Sequence, residues 1–185
     1  MDTLVPERLC TARLQLRRPA TPDASGILTR YAGDPEVTRF VAWPRHRSVA
    51  DSLAFVVWSD DVWSTQGAGP YLVLDESGRL VGSTGLDLET REQASTGYVL
   101  ARDAWGLGYA TELASEMVRL ADVAGLHRLY ALCHPANRAS ARVLEKAGLR
   151  FEAILPRHAA FPQLETGQPA DVECWARTRA VPAAP

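Results

Sequence analysis

A glycine-rich bend between a strand-like run and an amphipathic helix is the feature that most constrains this fold. Residues 105–112 form the bend and read Trp-Gly-Leu-Gly-Tyr-Ala-Thr-Glu. Residues 94–101 before it are typical of a strand, and the apolar spacing after it predicts a helix over residues 111–124. Glycine permits close backbone approach, and a new helix offers free N–H groups and the positive end of its dipole. This order of elements therefore predicts a backbone site for an anion such as a diphosphate.

The bend differs from two common nucleotide-binding motifs. No Lys follows the glycines, as the G-x-x-x-x-G-K-[ST] loop requires, and the third glycine of G-x-G-x-x-G is absent. A tight strand-to-helix turn without a ligand is the alternative interpretation of the same residues.

The remaining patterns predict one three-layer α/β domain over residues 1–180, followed by a disordered tail at 181–185. Further strands are predicted at about 13–18, 71–74, 80–88, 128–133, 151–155 and 172–177, and further helices at about 21–31, 48–64 and 137–147. Two helices carry apolar stripes expected to pack on the sheet. One comprises Val49, Leu53, Val56 and Val57; the other comprises Leu113, Met117, Leu120, Ala121 and Ala124.

Charge and cysteine usage exclude several classes of function. The chain has 20 basic and 22 acidic residues and no block of like charges, so neither nucleic-acid nor membrane binding is expected. Three widely spaced cysteines argue against a disulfide framework or a metal site and favour a reducing compartment. No signal segment or membrane-spanning run is visible, so a cytoplasmic location is expected.

A second motif lies at residues 137–151, which read Asn-Arg-Ala-Ser-Ala-Arg-Val-Leu-Glu-Lys-Ala-Gly-Leu-Arg-Phe. It is similar to the N-x-x-S-x-x-x-L-E-K-x-G-F segment of the GNAT family of acyl-CoA-dependent N-acyltransferases. The bend resembles that family's R/Q-x-x-G-x-G/A pyrophosphate loop, with Gly108 and Ala110 at the two small positions. The resemblance covers about residues 10–178 and is strongest for the branch that contains the ribosomal-protein N-terminal acetyltransferases.

The resemblance implies a GNAT-type α/β fold with a mixed, mostly antiparallel sheet of six to seven strands. The sheet would be splayed between the strand before the bend and the strand after the main helix. Acetyl-CoA would be the cosubstrate, without a metal, and its pantetheine arm would pair with the main chains of Val99 and Leu100. Its pyrophosphate would be bound by the backbone amides of Gly106, Leu107, Gly108, Tyr109, Ala110 and Thr111. Trp105 is expected to pack rather than to contact phosphate.

Two residues of the second motif are candidates for catalysis. Asn137 suits the N-cap of its helix, and the family pattern also implies that it contacts the coenzyme arm. Ser140 lies in the first helical turn, where serine commonly satisfies backbone groups. By resemblance, its hydroxyl would lie near the sulfur and would hydrogen-bond or protonate the leaving thiolate.

The residue that deprotonates the amine is left open by the sequence. Ser95 stands where relatives in this branch often carry Glu, and serine is not a base near neutral pH. Solvated charges and ordinary turn chemistry are the favoured interpretation of the titratable residues near these strands, and a water relay to a backbone carbonyl would need no dedicated side chain. The residues are Asp87, Glu89, Glu92, His134, His158 and Glu173. Substrate walls are expected from residues 39–47 and 157–171, with candidates Trp43, His46, Phe161 and Glu165.

The predicted activity is transfer of acetyl from acetyl-CoA to a primary amine in a direct ternary complex. The acceptor would be a peptide N-terminus or a small amine. An acyl-CoA-binding sensor without catalysis and a nucleotide-binding domain are the alternatives. Cys133 is expected to be a core residue rather than an acyl-enzyme nucleophile. Oligomeric state, including a homodimer, is left open.

Overall fold

A computed structural model of the protein describes residues 3–164 and 168–179. Its strands are β1 Arg8–Cys10, β2 Leu14–Arg17, β3 Pro70–Asp75, β4 Leu80–Leu88, β5 Gln93–Leu100, β6 Arg128–Cys133, β7 Arg150–Ala159 and β8 Ala170–Thr178. Its helices are α1 Ala24–Ile27, α2 Val49–Gln66, α3 Tyr109–Val123 and α4 Arg138–Lys146. A 3₁₀ turn at Thr21–Asp23 and a π-helical turn at Leu28–Ala32 flank α1. The strands form one sheet in the order β1-β2-β3-β4-β5-β6-β8-β7.

Helices cover both faces of the sheet, which makes the predicted three layers. Side chains alternate along a strand, so neighbouring residues of β3 pack in different layers. Leu72 packs with Ile27 of α1 and Val56 of α2, whereas Val73 belongs to the cluster that contains Leu113 and Met117 of α3. The α3 stripe is confirmed, since its first four members are at most 2% exposed.

The predicted splay of the sheet is confirmed. Among the described residues, β5 and β6 are the parallel pair, and they pair only where Gln93–Ser95 meets Arg128–Tyr130. Beyond that point β5 pairs with β4 alone and β6 pairs with β8 alone. A gap therefore opens between residues 96–100 and 131–133, and it leaves main-chain groups of both strands without a sheet partner.

The sheet is larger than predicted because short and edge strands give weak sequence signals. It has eight strands rather than six to seven, and β1 was not predicted. Strands β7 and β8 extend beyond the predicted 151–155 and 172–177, which shortens the loop between them to residues 160–169. Pro156 lies within β7. The strand tolerates this proline because β7 is at the edge of the sheet and pairs with β8 in an irregular register.

The predicted stripe of α2 was partly wrong. The capping box is present, since the Ser48 hydroxyl accepts from the Asp51 amide and the Asp51 carboxylate accepts from the Ser48 amide. Val49 and Val57, however, are 43% and 69% exposed. The buried face instead carries Ser52, Val56, Ser59, Val62 and Trp63. Two of these buried residues are serines, which hydrophobic spacing alone does not assign to a buried face.

Asp75 holds the turn between β3 and β4. Its Oδ1 accepts hydrogen bonds from the Ser77 hydroxyl, the Ser77 amide and the Arg79 amide, at 2.6, 3.0 and 3.1 Å. Its Oδ2 accepts from Arg79 Nε at 3.1 Å. The Ser77 hydroxyl, aided by Arg79, lowers the pKa of Asp75 from 3.8 to about 2. Because the folded-state pKa is depressed, the stabilisation is present above pH 3.8 and is lost as the pH falls through about 2.

We expect Asp75→Asn to lower the free energy of unfolding at pH 7 by roughly 1–3 kcal/mol, since charged hydrogen bonds are lost. The difference from wild type should shrink as the pH approaches 2. Urea denaturation followed by circular dichroism at both pH values measures this, with the exposed neighbour Glu76→Gln as control. An equal loss in both variants would contradict the assignment.

Candidate active site

The glycine bend has the backbone geometry that its sequence predicts. After β5, one 3₁₀ turn at Arg102–Ala104 leads through Trp105 into α3. Gly106 and Gly108 have φ values of 75° and 82°, in the left-handed region that glycine adopts most readily. Gly108 is also the N-cap residue of α3, so the bend turns the chain directly into the helix.

The amides of the bend are free of protein acceptors. The Glu112 amide donates to the Gly108 carbonyl at 3.1 Å and so makes the first bond of the helix ladder. Within residues 3–164 and 168–179, the amides from Gly106 to Thr111 donate to no protein group. These amides lie at the positive end of the α3 dipole, where an anion is stabilised. The six residues assigned to the pyrophosphate are therefore together and available.

Arg13 precedes β2 and holds the bend in place through contacts with Leu107, Tyr109 and Glu112, which we call the clamp. Its Nη1 donates to the Leu107 carbonyl at 2.9 Å, and its Nε donates to Glu112 Oε2 at 2.9 Å. Its guanidinium also lies over the Tyr109 ring, 4.8 Å from the centroid. Burial opposes ionisation of Glu112, but hydrogen bonds from Thr11 and Arg13 outweigh it and hold the pKa of this carboxyl below its ordinary value. The clamp fixes the loop through charged hydrogen bonds, and nothing in the local sequence of Arg13 indicates it.

Trp105 has a structural role, as expected. Its indole Nε1 donates to the Leu100 carbonyl at 2.9 Å, which ties the end of β5 to the bend. The Leu100 carbonyl accepts this one hydrogen bond and keeps a second lone pair. The pairing of the pantetheine arm with the main chains of Val99 and Leu100 stays a prediction.

The second motif meets the splayed strand at Ser140. Asn137 is the N-cap of α4, and its Oδ1 accepts from the Ser140 amide at 3.2 Å. The Ser140 hydroxyl lies 2.9 Å from the hydroxyl of Tyr98 on β5, so the pair bridges the gap between the separated halves of the sheet. Burial raises the pKa of Tyr98 to about 12, and its hydroxyl therefore keeps its proton at neutral pH. The contact between Tyr98 and Ser140 was not predicted.

A cavity of 640 Å³ opens on the face of the sheet covered by α1 and α2. We call it the chamber. Its floor is formed by facing positions of β4 and β5, in which Asp87 is opposite Ser95 and Gly85 is opposite Gly97. A Cβ atom on Gly97 would meet nothing within 4 Å, so this glycine leaves the floor open.

Aromatic side chains form the walls of the chamber. Three of the four predicted wall residues line it, namely Trp43, His46 and Phe161, while Glu165 lies outside the described residues. Phe55 and Trp58 of α2 line it as well and were missed, because the predicted stripe assigned other residues of α2 to its packed face.

Gln163 joins the two wall segments. Its Nε2 donates to the carbonyls of Thr38 and Trp43 at 2.8 and 3.0 Å, and its Oε1 accepts from the Arg45 amide at 3.2 Å. The side chain thus satisfies backbone groups of a segment that is far away in sequence. The segment before α2 and the loop after β7 therefore hold each other in place around the chamber.

Asp87 is the base candidate that the structure brings into the chamber. It lies on β4 rather than in a loop, and its carboxylate has no hydrogen-bond or ion-pair partner in the described part of the chain. Asp51, the other acidic residue of the lining, accepts from the Arg47 and Ser48 amides in the cap of α2.

The other titratable candidates are engaged elsewhere. Glu89 accepts from Tyr130 and Gln93, and Glu173 forms an ion pair with Arg138. Nδ1 of His134 accepts from the Ala136 amide at 3.1 Å. The lining of the chamber includes none of these, nor Glu92 or His158.

His134 is poorly suited to accept a proton. Its ring stacks on Phe40, with centroids 5.1 Å apart, and meets Phe161 edge-on at 4.8 Å. Burial, together with the charge of Arg39, lowers the pKa of His134. The neutral ring that accepts at Nδ1 carries its proton on Nε2, so neither nitrogen is free to take another.

Two structural features are absent from the described residues. No helix among them is long and apolar enough to cross a membrane. No group of three or more His, Cys, Asp or Glu side chains in residues 3–164 and 168–179 is arranged to hold a metal ion.

Comparison with known proteins agrees with this geometry. The model of the acetyltransferase (GNAT) domain matches residues 13–150. An uncharacterised N-acetyltransferase, p20 of Bacillus licheniformis, is 28% identical over 153 residues, which are 80% of this chain and 85% of the relative.

Solved structures share the fold. The microcin C7 self-immunity acetyltransferase MccE, in complex with acetyl-CoA and AMP, has a TM-score of 0.83 at 17% identity and covers 96% of this chain and 99% of its own. Mycobacterium smegmatis RimJ, in complex with CoA-disulfide, has a TM-score of 0.81 at 22% identity, with coverage of 96% and 90%. The chain belongs to the GNAT acetyltransferase family and is an acetyl-CoA-dependent acyltransferase.

Proposed function

We propose that this protein transfers acetyl from acetyl-CoA to a primary amine by direct attack in a ternary complex. The observation that carries the proposal is the position of β5 between two sites. One end of β5 leads into the free amides of the bend, and its middle forms the floor of the chamber beside the unpartnered Asp87. An acyl carrier held at the bend and an amine held in the chamber would meet at the splay.

Each step of the reaction has a residue suited to it. Asp87 takes a proton from the bound ammonium, either directly or through a water molecule, and the neutral nitrogen attacks the thioester carbonyl carbon. The tetrahedral intermediate then collapses, the carbon–sulfur bond breaks and the amide is formed. The departing thiolate takes a proton from the Ser140 hydroxyl, and Ser140 regains one from Tyr98. The nitrogen gives up its second proton to solvent as the amide forms, Tyr98 regains a proton from solvent, and Asp87 returns its own proton to solvent. The products are the acetylated amine and CoA.

An acyl-enzyme route through Cys133 has less support. The thiol is buried beneath α4, and burial raises the pKa of Cys133. A thiol that keeps its proton is a poor nucleophile. The three free cysteines fit a reducing cytoplasm, which we propose as the location of the protein. A homodimer stays a prediction.

Thiol release from acetyl-CoA, measured across a panel of small amines and N-terminal peptides, tests the proposed activity. Calorimetry with CoA and with ADP completes the design. Tight CoA binding without thiol release for any acceptor would favour a sensor. Equal affinity for ADP and CoA would favour a nucleotide-binding domain instead.

Ser140→Ala should lower kcat roughly 100-fold and leave the Kd for acetyl-CoA nearly unchanged, because the hydroxyl acts on the leaving thiolate. Tyr98→Phe should have a smaller effect. The double variant should be no slower than Ser140→Ala, because the two hydroxyls form one relay. Pre-steady-state thiol release with calorimetry measures these effects. Additive losses would show that Tyr98 acts independently, and an unaltered rate constant in Ser140→Ala would exclude the relay.

A further inference from the structure

We propose that the acceptor is a primary amine carried on a flat aromatic body, with the amine at Asp87 and the ring among the aromatic walls. This inference rests on the proposed function and specifies its substrate class. It narrows the acceptor from any amine to arylalkylamines or compounds that present an aromatic group beside the amine.

The first support is a continuous series of rings along one wall. Trp43 and His46 have centroids 5.3 Å apart, His46 and Phe55 are 6.5 Å apart, and Phe55 and Trp58 are 5.9 Å apart. These separations match aromatic neighbours in contact. Phe161 lies in the same lining. A flat ring entering the chamber would thus find stacking and edge contacts.

The second support is the exposure of Trp58. This side chain is 51% exposed even though it lines the chamber and contacts Phe55. An aromatic ligand would cover part of this apolar surface, which water covers in the free protein. Val57, the adjacent residue on α2, is 69% exposed but does not belong to the lining. The two neighbours therefore provide a matched pair for mutation.

The third support is charge. The described lining contains no Lys or Arg, and its one unengaged charge is the Asp87 carboxylate. Nδ1 of His46 lies 2.9 Å from the Ser52 hydroxyl, and burial lowers the pKa of this histidine. The ring wall is therefore uncharged at neutral pH. Arg45 and Arg47 line a separate groove with Asp34. The chamber thus suits a single ammonium on an apolar body and disfavours an acidic peptide, whose carboxylates would meet Asp87.

The fourth support is size. A volume of 640 Å³ lies within the range of sites for small molecules. It would hold a fused-ring amine beside the acetylated end of the coenzyme arm. A polyamine would leave the aromatic walls without contact and would place additional charges against apolar surface, which is costly.

Matched amines test the inference. Thiol release is measured for 2-phenylethylamine, tryptamine, 2-cyclohexylethylamine, spermidine and an acidic peptide with an N-terminal Ser. We expect kcat/KM for the two aromatic amines to exceed that for the cyclohexyl analogue by roughly threefold to tenfold, since only a flat ring stacks. We expect it to exceed the values for spermidine and the peptide by roughly 100-fold.

Substitutions on α2 test whether the aromatic wall causes the expected preference for aromatic amines. Trp58→Ala should raise KM for tryptamine roughly tenfold and leave KM for acetyl-CoA and spermidine unchanged, whereas Val57→Ala should change none of these. Phe55→Leu is the second variant and should act like Trp58→Ala. Calorimetric titration of tryptamine in the presence of CoA gives a binding readout that does not require turnover.

The outcomes separate the two proposals. Preference for spermidine, the peptide or the cyclohexyl amine would overturn the aromatic acceptor and leave the acetyltransferase proposal intact. CoA binding without thiol release for any acceptor would overturn the proposed function. In that case the calorimetric titration still decides the ligand class, because saturable binding of tryptamine weakened by Trp58→Ala would support it. Absence of such binding would reject it.

Discussion

Gly108→Val is expected to abolish acetyl-CoA binding while the protein stays folded. The φ value of 82° at Gly108 is one that β-branched residues resist, and an added Cβ would lie 3.3 Å from Arg13 Nη2. The side chain would therefore disturb the clamp and occupy space in front of the free amides. We expect the Kd measured by calorimetry to rise at least about 100-fold, because several charge-assisted hydrogen bonds would be lost together.

Gly125→Val is the matched control. Gly125 follows the other end of α3 with a φ value of 74°, and a Cβ atom there would meet nothing within 4 Å. Backbone strain should lower the free energy of unfolding of both variants by a similar amount, about 1–2 kcal/mol. The two variants should therefore show similar decreases in Tm. Only Gly108→Val should lose the coenzyme. Unchanged affinity in a folded Gly108→Val protein would disprove the loop assignment.

Asp87→Asn is expected to lower kcat/KM roughly 100-fold to 1000-fold, the range typical of a lost general base. Asparagine keeps the size of the side chain but can neither accept the proton nor attract the ammonium. The Kd for acetyl-CoA should stay within about twofold of wild type, because the bend is unaltered. The deficit should narrow at high pH, where a growing fraction of the free amine is already neutral. Steady-state thiol release from pH 7 to 10 measures both effects.

Glu89→Gln is the control for a nearby carboxylate. Glu89 accepts hydrogen bonds from Tyr130 and Gln93 and lies outside the chamber lining, so its loss should leave kcat/KM nearly unchanged. If both variants lose activity equally, charge in this region acts at long range and Asp87 has no particular role. If Asp87→Asn keeps full activity at neutral pH, the proton must leave by another route.

Sequence patterns predicted those parts of the candidate site whose geometry depends on residues close together along the chain. The bend depends on glycines that adopt left-handed conformations and on a helix that begins beside them. Asn137 caps α4 because its side chain reaches an amide three residues later. Such features are determined by neighbours along the chain, so residues 105–112 and Asn137 could be assigned before any tertiary contact was known. The stripe of α3 was predictable for the same reason, since its period follows from helix geometry.

The other parts of the site depend on strand register and on the packing of segments that are distant in sequence. Arg13 donates a hydrogen bond to Glu112, which lies 99 residues later in the sequence. Asp87 lines the chamber because the register of β4 places it opposite Ser95. Trp58 meets the cavity because α2 buries a different face from the predicted one. The sequence alone thus determined the family, the backbone geometry of the glycine bend and the helix cap, through short motifs and short-range backbone preferences. Only the tertiary structure showed that Asp87 and the aromatic side chains line one chamber and that Arg13 contacts the bend, because these contacts join residues far apart along the chain.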